Sequence, residues 1–397
     1  MKPMKKILAL NAGSSSIKFS LYRAGEGERL LFTGSLDRIG RPGGRFTVRD
    51  GSGQELVNES VGHEDHEKAC AHVFSWILSQ SHEAPDAVGH RIVHGGPDFT
   101  APVILSSQIL DSLGELSPYA PEHLPPAIGA VRHVWKVFPG MLQVACFDTS
   151  FHASMPSVSR FYPLPDEVRR QGVIRYGFHG LSYEYLMGEL ERQAGKDAAR
   201  GRIILAHLGH GASMAAVKEG HSFDTSMGFS PAGGLVMSTR TGDLDPGVIL
   251  FMLLRDRMEP GEIKEMVNLR SGLLGVSGTS DDMRELLAIE KEDSRAREAV
   301  DIFCYRAKQC IGSYAAAMGG LDTVVFSGGI GTHAPEIRSR IAEGLGFIGI
   351  GIDAELNFAS APVISPDRTK VTVRVIETNE EVVIVRHTLR KLNLIST

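Results

Sequence analysis

The chain has 397 residues, of which 42% are hydrophobic and 22% charged. That length suits two or three domains, and the composition is that of a soluble globular protein with enough apolar material for a sizeable core. The net charge of −5 at neutral pH provides no overall basic field that could hold nucleic acid or an anionic membrane. Anionic ligands must therefore be bound by local groups.

Cysteine usage and the amino terminus both predict a cytoplasmic protein. The four cysteines, Cys70, Cys146, Cys304 and Cys310, form no CxxC pair, and their spacing favours neither a zinc site nor a disulfide framework. We expect free thiols in a reducing compartment. Lysines precede an apolar run at the amino terminus, but the run ends at Leu10 and is too short for a signal peptide or a membrane span.

The first predicted elements are a strand, a tight turn and a second strand over residues 6–23. Apolar alternation on both sides is interrupted there by Asn-Ala-Gly-Ser, which is a turn signal. Residues 204–220 repeat this design half a chain later, and placing Gly13 on Gly211 aligns the two turns. Two such units indicate duplicated domains.

Helical spacing of apolar residues predicts helices at 63–80, 294–320 and 381–392, and Gly319 is a natural end for the second. Residues 324–346 predict a β-branched strand, a third glycine turn and a helix. Mixed strands and helices of this kind indicate an α/β fold, with α+β character in mixed sheets.

Three glycine turns lie beside apolar strands, at residues 11–18, 207–213 and 326–333. None has the spacing of a P-loop or of a dinucleotide fingerprint. They are either ordinary turns in a chain with 44 glycines or places where backbone N–H groups converge on the phosphates of a nucleotide. Lys18 adds a full positive charge to the first turn.

Charged residues and histidines gather in four further segments. Residues 224–247 are too rich in Gly, Ser and Pro for regular structure, and their apolar residues favour a folded functional loop over disorder. A lone arginine or histidine is more often a surface ion-pair group or a hydrogen-bonded core group than a catalyst. The candidates are Arg91, His94, Asp148, His152, Arg175, His179, Arg240, Asp243 and Asp245.

A second constellation has spacing that could suit a metal. Its members are His63, His66, Cys70 and His72. The same segment has the apolar periodicity of a helix with Asp65 near its start, so we favour the helix over a metal site.

Together these segments resemble the acetate kinase family from Asn11 to Glu381, through the motifs NAGSSSIKFSL, GHRIVHGG, FDTSFH, RYGFHG, DTSMGFSP, TRTGDLDPG, SGLLGVSG and TNEE. The resemblance implies the fold shared by actin, sugar kinases and heat-shock chaperones. It has two duplicated actin-like, ribonuclease-H-like domains, 1–148 with 382–397 and 149–381, and an active-site cleft between them. The implied reaction is reversible, direct in-line phosphoryl transfer from ATP to acetate, which gives acetyl phosphate and ADP.

The resemblance also implies a set of site residues. Catalytic roles fall to Asp148, Arg91, Arg240, His179 and His123, and the substrate would contact Arg91, Val93, Phe178 and Pro231. The nucleotide and its phosphates would contact Ser14, Ser16, Lys18, His207, Gly209, His210, Gly211, Asp282, Arg284, Gly329, Ile330 and Gly331. Magnesium, or manganese, would be held by Asn11 and Glu380. A homodimer is implied too, with no nucleic-acid or membrane partner.

The chemistry accounts for these residue types. A carboxylate is already ionised at neutral pH, so no strong general base is needed. The obstacle is repulsion between an anionic nucleophile and an anionic phosphate, which arginines, a divalent cation and a hydrogen-bonding histidine reduce by positioning and neutralisation. We expect Arg91→Ala and Arg240→Ala each to lower turnover by at least about 10²–10³ with the fold intact.

The sequence departs from the family pattern near the proposed nucleotide and acyl pockets. The unusual residues are His210, Thr332, His333, Glu122, Leu124 and Glu377. Either they are drift at tolerant positions, or they change the acyl or donor preference towards propionate, another nucleotide or pyrophosphate.

Two other classes of function are weighed against a carboxylate kinase. A non-catalytic nucleotide-gated module would need a polymer surface or an appended peptide-binding domain. A sugar kinase would need a base beside a hydroxyl and gives no reason for paired arginines.

Overall fold

The computed structural model describes residues 4–63, 65–81 and 84–395. The chain divides into two compact units, Met1–Ser150 with Asn379–Thr397, and Phe151–Thr378. The limits expected from the sequence fell at 148/149 and 381/382; those domain limits and the cleft between the domains stay predictions.

The strands share a simple distribution, with β1 to β8 in the first unit and β9 to β13 in the second. They are β1 (Lys5–Ala12), β2 (Ser16–Ala24), β3 (Glu28–Asp37), β4 (Arg45–Asp50), β5 (Glu55–Ser60), β6 (Ala87–Ile92), β7 (Val103–Ile104), β8 (Leu142–Phe147), β9 (Arg202–Leu208), β10 (Ala212–Lys218), β11 (His221–Thr225), β12 (Thr323–Ser327) and β13 (Thr372–Val375).

The helices flank these strands, and short 3₁₀ turns occur at Ser117–Tyr119, Ser150–His152 and Leu345–Ile348. The helices are α1 (His66–Ser81), α2 (Ser107–Glu115), α3 (Leu124–Val137), α4 (Ser157–Arg160), α5 (Asp166–Arg170), α6 (Gly180–Ala194), α7 (Lys196–Ala199), α8 (Pro246–Leu254), α9 (Pro260–Leu269), α10 (Gly272–Ser277), α11 (Met283–Ile289), α12 (Ser294–Met318), α13 (Gly328–His333), α14 (Pro335–Ala342), α15 (Ala354–Phe358) and α16 (Glu380–Ile395).

The two sheets share a five-strand topology. The first has the order β5-β4-β3-β2-β1-β6-β8-β7 and the second β11-β10-β9-β12-β13. In each, the first strand pairs antiparallel with the second and parallel with a later strand that follows a helical segment. The order β3-β2-β1-β6-β8 therefore repeats as β11-β10-β9-β12-β13, which confirms the predicted duplicated, mixed-sheet α/β fold.

The alignment of the two glycine turns predicted from the sequence is wrong in register. The Gly13 amide donates to the Ser16 carbonyl at 2.8 Å, whereas the Gly209 amide donates to the Gly211 carbonyl at 3.1 Å. The strands opposite each other then place Asn11 across from Lys18. Gly13 is thus equivalent to Gly209, because each directly follows the last paired residue of its strand, Ala12 or Leu208. The first turn is also one residue longer.

Each unit buries its own core. In the first unit, aromatic rings of β2, β4 and α1 pack on one face of the sheet, with Phe19, Phe46 and Phe74 fully buried. In the second, the buried residues of α6 pack on β9 and β10. Helix α16 packs against β1, β2, β6 and β8, so the carboxyl-terminal part of the chain completes the first unit.

Several local predictions are confirmed. Helix α12 ends where Gly319 takes a left-handed conformation (φ 74°) that an L side chain rarely adopts, and residues 226–245 contain no strand or helix. The four cysteines are free. Among residues 4–63, 65–81 and 84–395, no helix is long and apolar enough to cross a membrane.

The metal alternative at α1 gains no support. His66 bonds to the Gly13 carbonyl at 2.8 Å and His72 lies 3.1 Å from Glu59. Within the described part of the chain, no group of three or more His, Cys, Asp or Glu side chains could hold a metal ion. These histidines contribute packing and hydrogen bonds around the first glycine turn.

Candidate active site

The first cluster is an ion pair that two neighbouring parallel strands build. Arg91 lies near the end of β6 and Asp148 directly follows β8, which pairs with β6. The guanidinium donates through Nε to Asp148 Oδ1 at 2.9 Å and through Nη2 to Oδ2 at 2.6 Å. Asp148 is 1% exposed, so this is a buried bidentate pair, the geometry that arginine forms best with a carboxylate.

A second carboxylate joins this cluster. Glu380, the first residue of α16, places Oε2 3.5 Å from Arg91 Nε. Burial alone would lower the pKa of Arg91, but the charges of Asp148 and Glu380 outweigh it and raise that pKa. Burial raises the pKa of Asp148, against the opposite pull of Arg91. Both Asp148 oxygens accept from the guanidinium, so Arg91 stabilises the ionised form of the Asp148 carboxyl group.

Neighbouring histidines support the same strands. His123 immediately precedes α3, and its charge lowers the pKa of Asp148, which places it beside the cluster. His90 on β6 bonds through Nε2 to Gln143 of β8 at 2.6 Å, and Gln143 donates on to the Val131 carbonyl at 3.2 Å. Burial lowers the pKa of His90 to about 4, so His90 is a neutral structural group at neutral pH.

The β1–β2 turn carries the predicted phosphate-side residues of the first unit. Asn11, at the end of β1, is half-buried and lies opposite Lys18. Lys18 and Ser14 are exposed, and Ser16 is half-buried. The hairpin therefore exposes a charged side chain and a hydroxyl group to solvent.

In the second unit, an imidazole pair lies at the start of α6 and the end of β9. The rings of His179 and His207 stack with centroids 4.2 Å apart and planes 21° apart. Each is fixed at Nδ1 by a serine hydroxyl at 2.8 Å: His179 by Ser213, and His207 by Ser182. Ser213 in turn bonds to the buried hydroxyl of Tyr183. Both ring orientations are therefore set by hydrogen bonds.

Arg240 lies at the same turn as this pair. Its Nη1 donates to the Pro231 carbonyl at 3.1 Å and lies 3.6 Å from Met237 Sδ. A Cβ added at Gly211 would lie 3.3 Å from His179 Nε2 and 3.7 Å from Arg240 Nη1. Two nitrogen groups therefore converge on a glycine turn, where an added Cβ would be in tight contact with the imidazole. Such a turn is a suitable place for an anion.

The predicted acyl-side residues divide between the units. Val93 is half-buried just after β6. Phe178 is 1% exposed, and its carbonyl accepts from His152 Nε2 at 3.1 Å. Pro231 is half-buried, and its carbonyl is the acceptor for Arg240. Phe178 directly precedes His179 in the sequence, and Pro231 contacts Arg240. Both residues therefore lie beside the His179–Arg240 cluster.

The predicted nucleotide-side residues form three groups in the second unit. His210, exposed in the β9–β10 turn, places Nε2 3.3 Å from Asp281. Asp282 caps α11, and its carboxylate binds the exposed Arg284. The third group is α13, which contains Gly329, Ile330 and Gly331 and begins at Gly328, where any Cβ would meet the Leu208 carbonyl at 2.6 Å. The third turn thus packs closely against the end of β9.

The chain is similar to known proteins over almost its whole length. The acetokinase family model matches residues 6–386. The chain belongs to the acetokinase family. It is 44% identical to an acetate kinase of Rhodopseudomonas palustris, over 97% of this chain and 98% of that one. It matches the crystal structure of Porphyromonas gingivalis acetate kinase with a TM-score of 0.89 at 38% identity, covering 98% of this chain and 100% of that one. A propionate kinase from Francisella tularensis matches with a TM-score of 0.92 at 34% identity, again over 98% and 100% of the two chains.

Sequence reasoning missed the polar residues that lie behind the candidate site. Ser213, Ser182 and Tyr183 fix the imidazoles, and only the one-turn spacing from His179 to Tyr183 could have suggested a contact. It also missed Arg338, which is fully buried. Arg338 Nη1 donates to the carbonyls of Gly331 at 2.9 Å and Thr332 at 2.8 Å, and Nε donates to Asn357 at 2.7 Å.

The family departures have ordinary surroundings. Leu124 is buried in the core between α2, α3 and the sheet. Glu122 and Glu377 are exposed, Thr332 is buried in α13, and His333 is exposed at its end. Of the unusual residues, His210 is the one placed in a glycine turn beside an acidic side chain.

Proposed function

We propose that this chain is an acetate kinase, which reversibly transfers the γ-phosphoryl group of ATP to acetate. A carboxylate oxygen of acetate attacks the γ-phosphorus, the bond to the β–γ bridging oxygen breaks, and ADP leaves with that electron pair. The observation that carries the proposal is the convergence of His179 Nε2 and Arg240 Nη1 at Gly211, in a chain of the acetokinase family. Such donors stabilise charge on a transferring phosphoryl group.

The proposed roles follow from the surroundings of each group. Arg240 and His179 would donate to the phosphoryl oxygens, while Arg91, held rigid by Asp148, would orient the substrate. Asp148 would act as the acidic catalytic residue through that arginine, and His123 beside it would complete the substrate contacts. The apolar surfaces of Val93, Phe178 and Pro231 would take the methyl group.

The nucleotide would contact the glycine turns. Lys18 supplies positive charge and the remaining groups supply backbone N–H and polar side chains. The proposed residues are Ser14, Ser16, Lys18, His207, Gly209, His210, Gly211, Asp282, Arg284, Gly329, Ile330 and Gly331.

The donor set near Arg91 fits a magnesium ion. Magnesium takes oxygen ligands and usually keeps several waters, so one or two carboxylates suffice. Glu380 begins α16, which packs against β1, and Asn11 lies at the end of that strand. We propose that Glu380 and Asn11 hold the ion, or manganese in its place. When bound, the ion would neutralise phosphate charge.

Trapping of the product tests the proposal. Purified chain is incubated with acetate, ATP, Mg²⁺ and hydroxylamine, and acyl hydroxamate is measured. We expect hydroxamate that depends on both acetate and ATP, disappears with EDTA and returns with Mg²⁺. Arg240→Ala, prepared identically, controls for a contaminating kinase. No hydroxamate from folded protein would refute the function.

A second acyl substrate has specific support, because a propionate kinase matches with a TM-score of 0.92. One methylene in an apolar pocket is worth about 1–3 kcal/mol, or roughly 10–200-fold. We expect kcat/KM for acetate to exceed that for propionate and butyrate by about tenfold or more, with ATP better than GTP or pyrophosphate. Equal or faster reaction with propionate would instead assign the chain as a propionate kinase.

We also propose a homodimer, with α8 in the interface. This helix has the sequence PGVILFMLL and no buried residue. Leu250, Phe251 and Leu254 are exposed, the last at 77%. An apolar helix in this state is typical of a surface that a partner covers, and a second copy is the partner that the family resemblance implies.

Sedimentation velocity tests the dimer. We expect wild-type chain to sediment as a dimer and Leu250→Glu/Leu254→Glu to sediment as a monomer. Leu269→Glu, exposed on α9, is the control for loss of an exposed leucine elsewhere. A monomeric wild type would remove the proposal.

We also propose a cytoplasmic location, because the free cysteines fit a reducing compartment.

A further inference from the structure

The imidazole of His179 is the end of a buried chain of hydroxyl groups. His179 Nδ1 lies 2.8 Å from Ser213 Oγ, and Ser213 Oγ is in close contact with the Tyr183 hydroxyl. Ser213 and Tyr183 are both 0% exposed. Water therefore does not compete for these two bonds.

The backbone holds the three groups in fixed positions. His179 has a left-handed conformation (φ 59°) directly before α6, and the Tyr183 amide donates to the His179 carbonyl at 3.0 Å. Ser213 lies on β10, opposite His207. The Tyr183 ring packs against the rings of Phe151 and His152. The hydroxyls thus stay aligned with Nδ1 of His179, while Nε2 of the same ring stays near Gly211.

The direction of the hydrogen bonds decides which ring nitrogen carries the proton. A serine hydroxyl has one proton, so Ser213 can donate either to His179 or to Tyr183. A phenol is the more acidic hydroxyl, with a reference pKa of about 10, and is the natural donor to an aliphatic oxygen. Tyr183 then donates to Ser213, and Ser213 donates to His179 Nδ1. Nδ1 accepts, and Nε2 must carry the N–H.

We propose that Tyr183 and Ser213 are positioning residues that fix His179 as its Nε2–H tautomer, with the N–H directed at the Gly211 turn. The consequence for catalysis rests on the proposed function: an Nε2–H donates to a phosphoryl oxygen, whereas the opposite tautomer would present a lone pair to an anion. Nδ1 is occupied from behind, so the ring cannot turn over without breaking a buried bond.

The tautomer is measured directly by ¹⁵N NMR of histidine-labelled protein, because a protonated and an unprotonated ring nitrogen have different shifts. His179 is assigned by comparison with His179→Gln. We expect an unprotonated Nδ1 and a protonated Nε2 in the wild type. In Tyr183→Phe, which keeps the ring and removes only the hydroxyl, we expect both tautomers. A protonated Nδ1 in the wild type, or an unchanged spectrum in Tyr183→Phe, overturns the proposal.

A matched control is available in the same unit. Ser222 bonds to His152 Nδ1 at 2.8 Å and is 2% exposed, so Ser222→Ala removes another buried serine–histidine bond of the same length. We expect it to leave the His179 resonances unchanged. A His179 shift in Ser222→Ala as large as that in Tyr183→Phe would show a general structural effect and overturn the proposal.

Kinetics give a second readout. We expect Tyr183→Phe and Ser213→Ala to lower kcat about tenfold, less than the roughly 10²–10³ for complete loss of such a donor, with KM for acetate and ATP little changed. Ser213→Thr, which keeps a hydroxyl, should recover much of kcat. A rise in KM at unchanged kcat overturns the positioning role. The tautomer is read without turnover, so a chain that shows it but makes no acyl phosphate would refute the proposed function and leave this inference standing.

Discussion

The two antiparallel hairpins β1–β2 and β9–β10 occupy the same place in their sheets but carry different chemistry. The first sets the amide of Asn11 opposite the ammonium of Lys18, and the second sets the imidazole of His207 opposite the hydroxyl of Ser213. The former side chains are open to solvent in part or in full, whereas Ser213 is buried.

The arginines of the two units also have different surroundings. Arg91 is held by the carboxylates of Asp148 and Glu380. Arg240 contacts the neutral atoms Pro231 O and Met237 Sδ. Removal of the Arg91 guanidinium would leave the buried carboxylate of Asp148 without its bidentate partner. The Arg91 cluster should therefore be coupled to the stability of the fold as well as to turnover.

The largest effect is expected for Arg91→Ala. It should lower turnover by at least about 10²–10³ and also destabilise the fold by about 3–5 kcal/mol, because Asp148 would be left as a buried, unpaired charge. The structure thus changes the expectation of an intact fold for this variant. Turnover and the urea midpoint are measured together.

The double variant Arg91→Ala/Asp148→Asn separates the two effects. It should recover stability, since the buried charge is gone, without recovering turnover. If Arg91→Ala were as stable as wild type, the ion pair would not carry the stability that the comparison assigns to it.

Arg240→Ala should lower turnover by about 10²–10³, because it removes a nitrogen donor beside Gly211. Its turnover is measured beside that of Arg91→Ala under the same conditions. Near-normal turnover would remove Arg240 from the site.

The buried histidines test whether the units share a stability mechanism. Burial lowers the pKa values of His90 in the first unit and His152 in the second from 6.5 to about 4. The unfolded chain binds these protons near pH 6.5 and the folded chain does not. Stability is therefore complete above pH 6.5 and is lost as the pH falls towards 4, by up to about 1.4 kcal/mol per pH unit for each histidine.

Urea unfolding at pH 7, 6 and 5 measures that slope. Replacing either histidine with glutamine should lower the slope by the contribution of one proton and leave the other intact. A slope that stays the same in both variants would mean that other groups account for the acid sensitivity.

The smallest effect is expected for His210→Asn. His210 and Asp281 are both well exposed, and an exposed pair contributes about 0.2–1 kcal/mol. The KM for ATP should therefore change less than about fivefold, and ATP should remain better than GTP and pyrophosphate. A reversal of donor preference would instead establish His210 as a specificity residue.

The sequence predicted the elements more reliably than their register. Glycine at position 319 and the alternation around the first turn were sufficient for the ends of α12 and for β1 and β2. The half-chain repeat indicated duplication, but it matched Gly13 to Gly211 where the strands match Gly13 to Gly209. A match of a few residues in a glycine turn does not fix the register, because strand pairing decides which residues are equivalent.

The site could be predicted only as far as local motifs extend. Arg91 and Asp148 were found as separate candidates, but their pairing depends on β6 and β8 being neighbours. The hydroxyls of Ser213 and Tyr183 gave no signal, because buried serine and tyrosine are common in cores and their partners lie on another element. Contacts between elements are fixed by tertiary packing, which one sequence does not record.

The buried guanidinium of Arg338 has a consequence for how a nucleotide would be received. It donates to the carbonyls of Gly331 and Thr332 at the end of α13 and to Asn357, which directly precedes the end of α15. A segment with three glycines would otherwise keep wide backbone freedom. Folding has already ordered this segment. When a ligand docks on α13, the protein therefore loses little further conformational entropy.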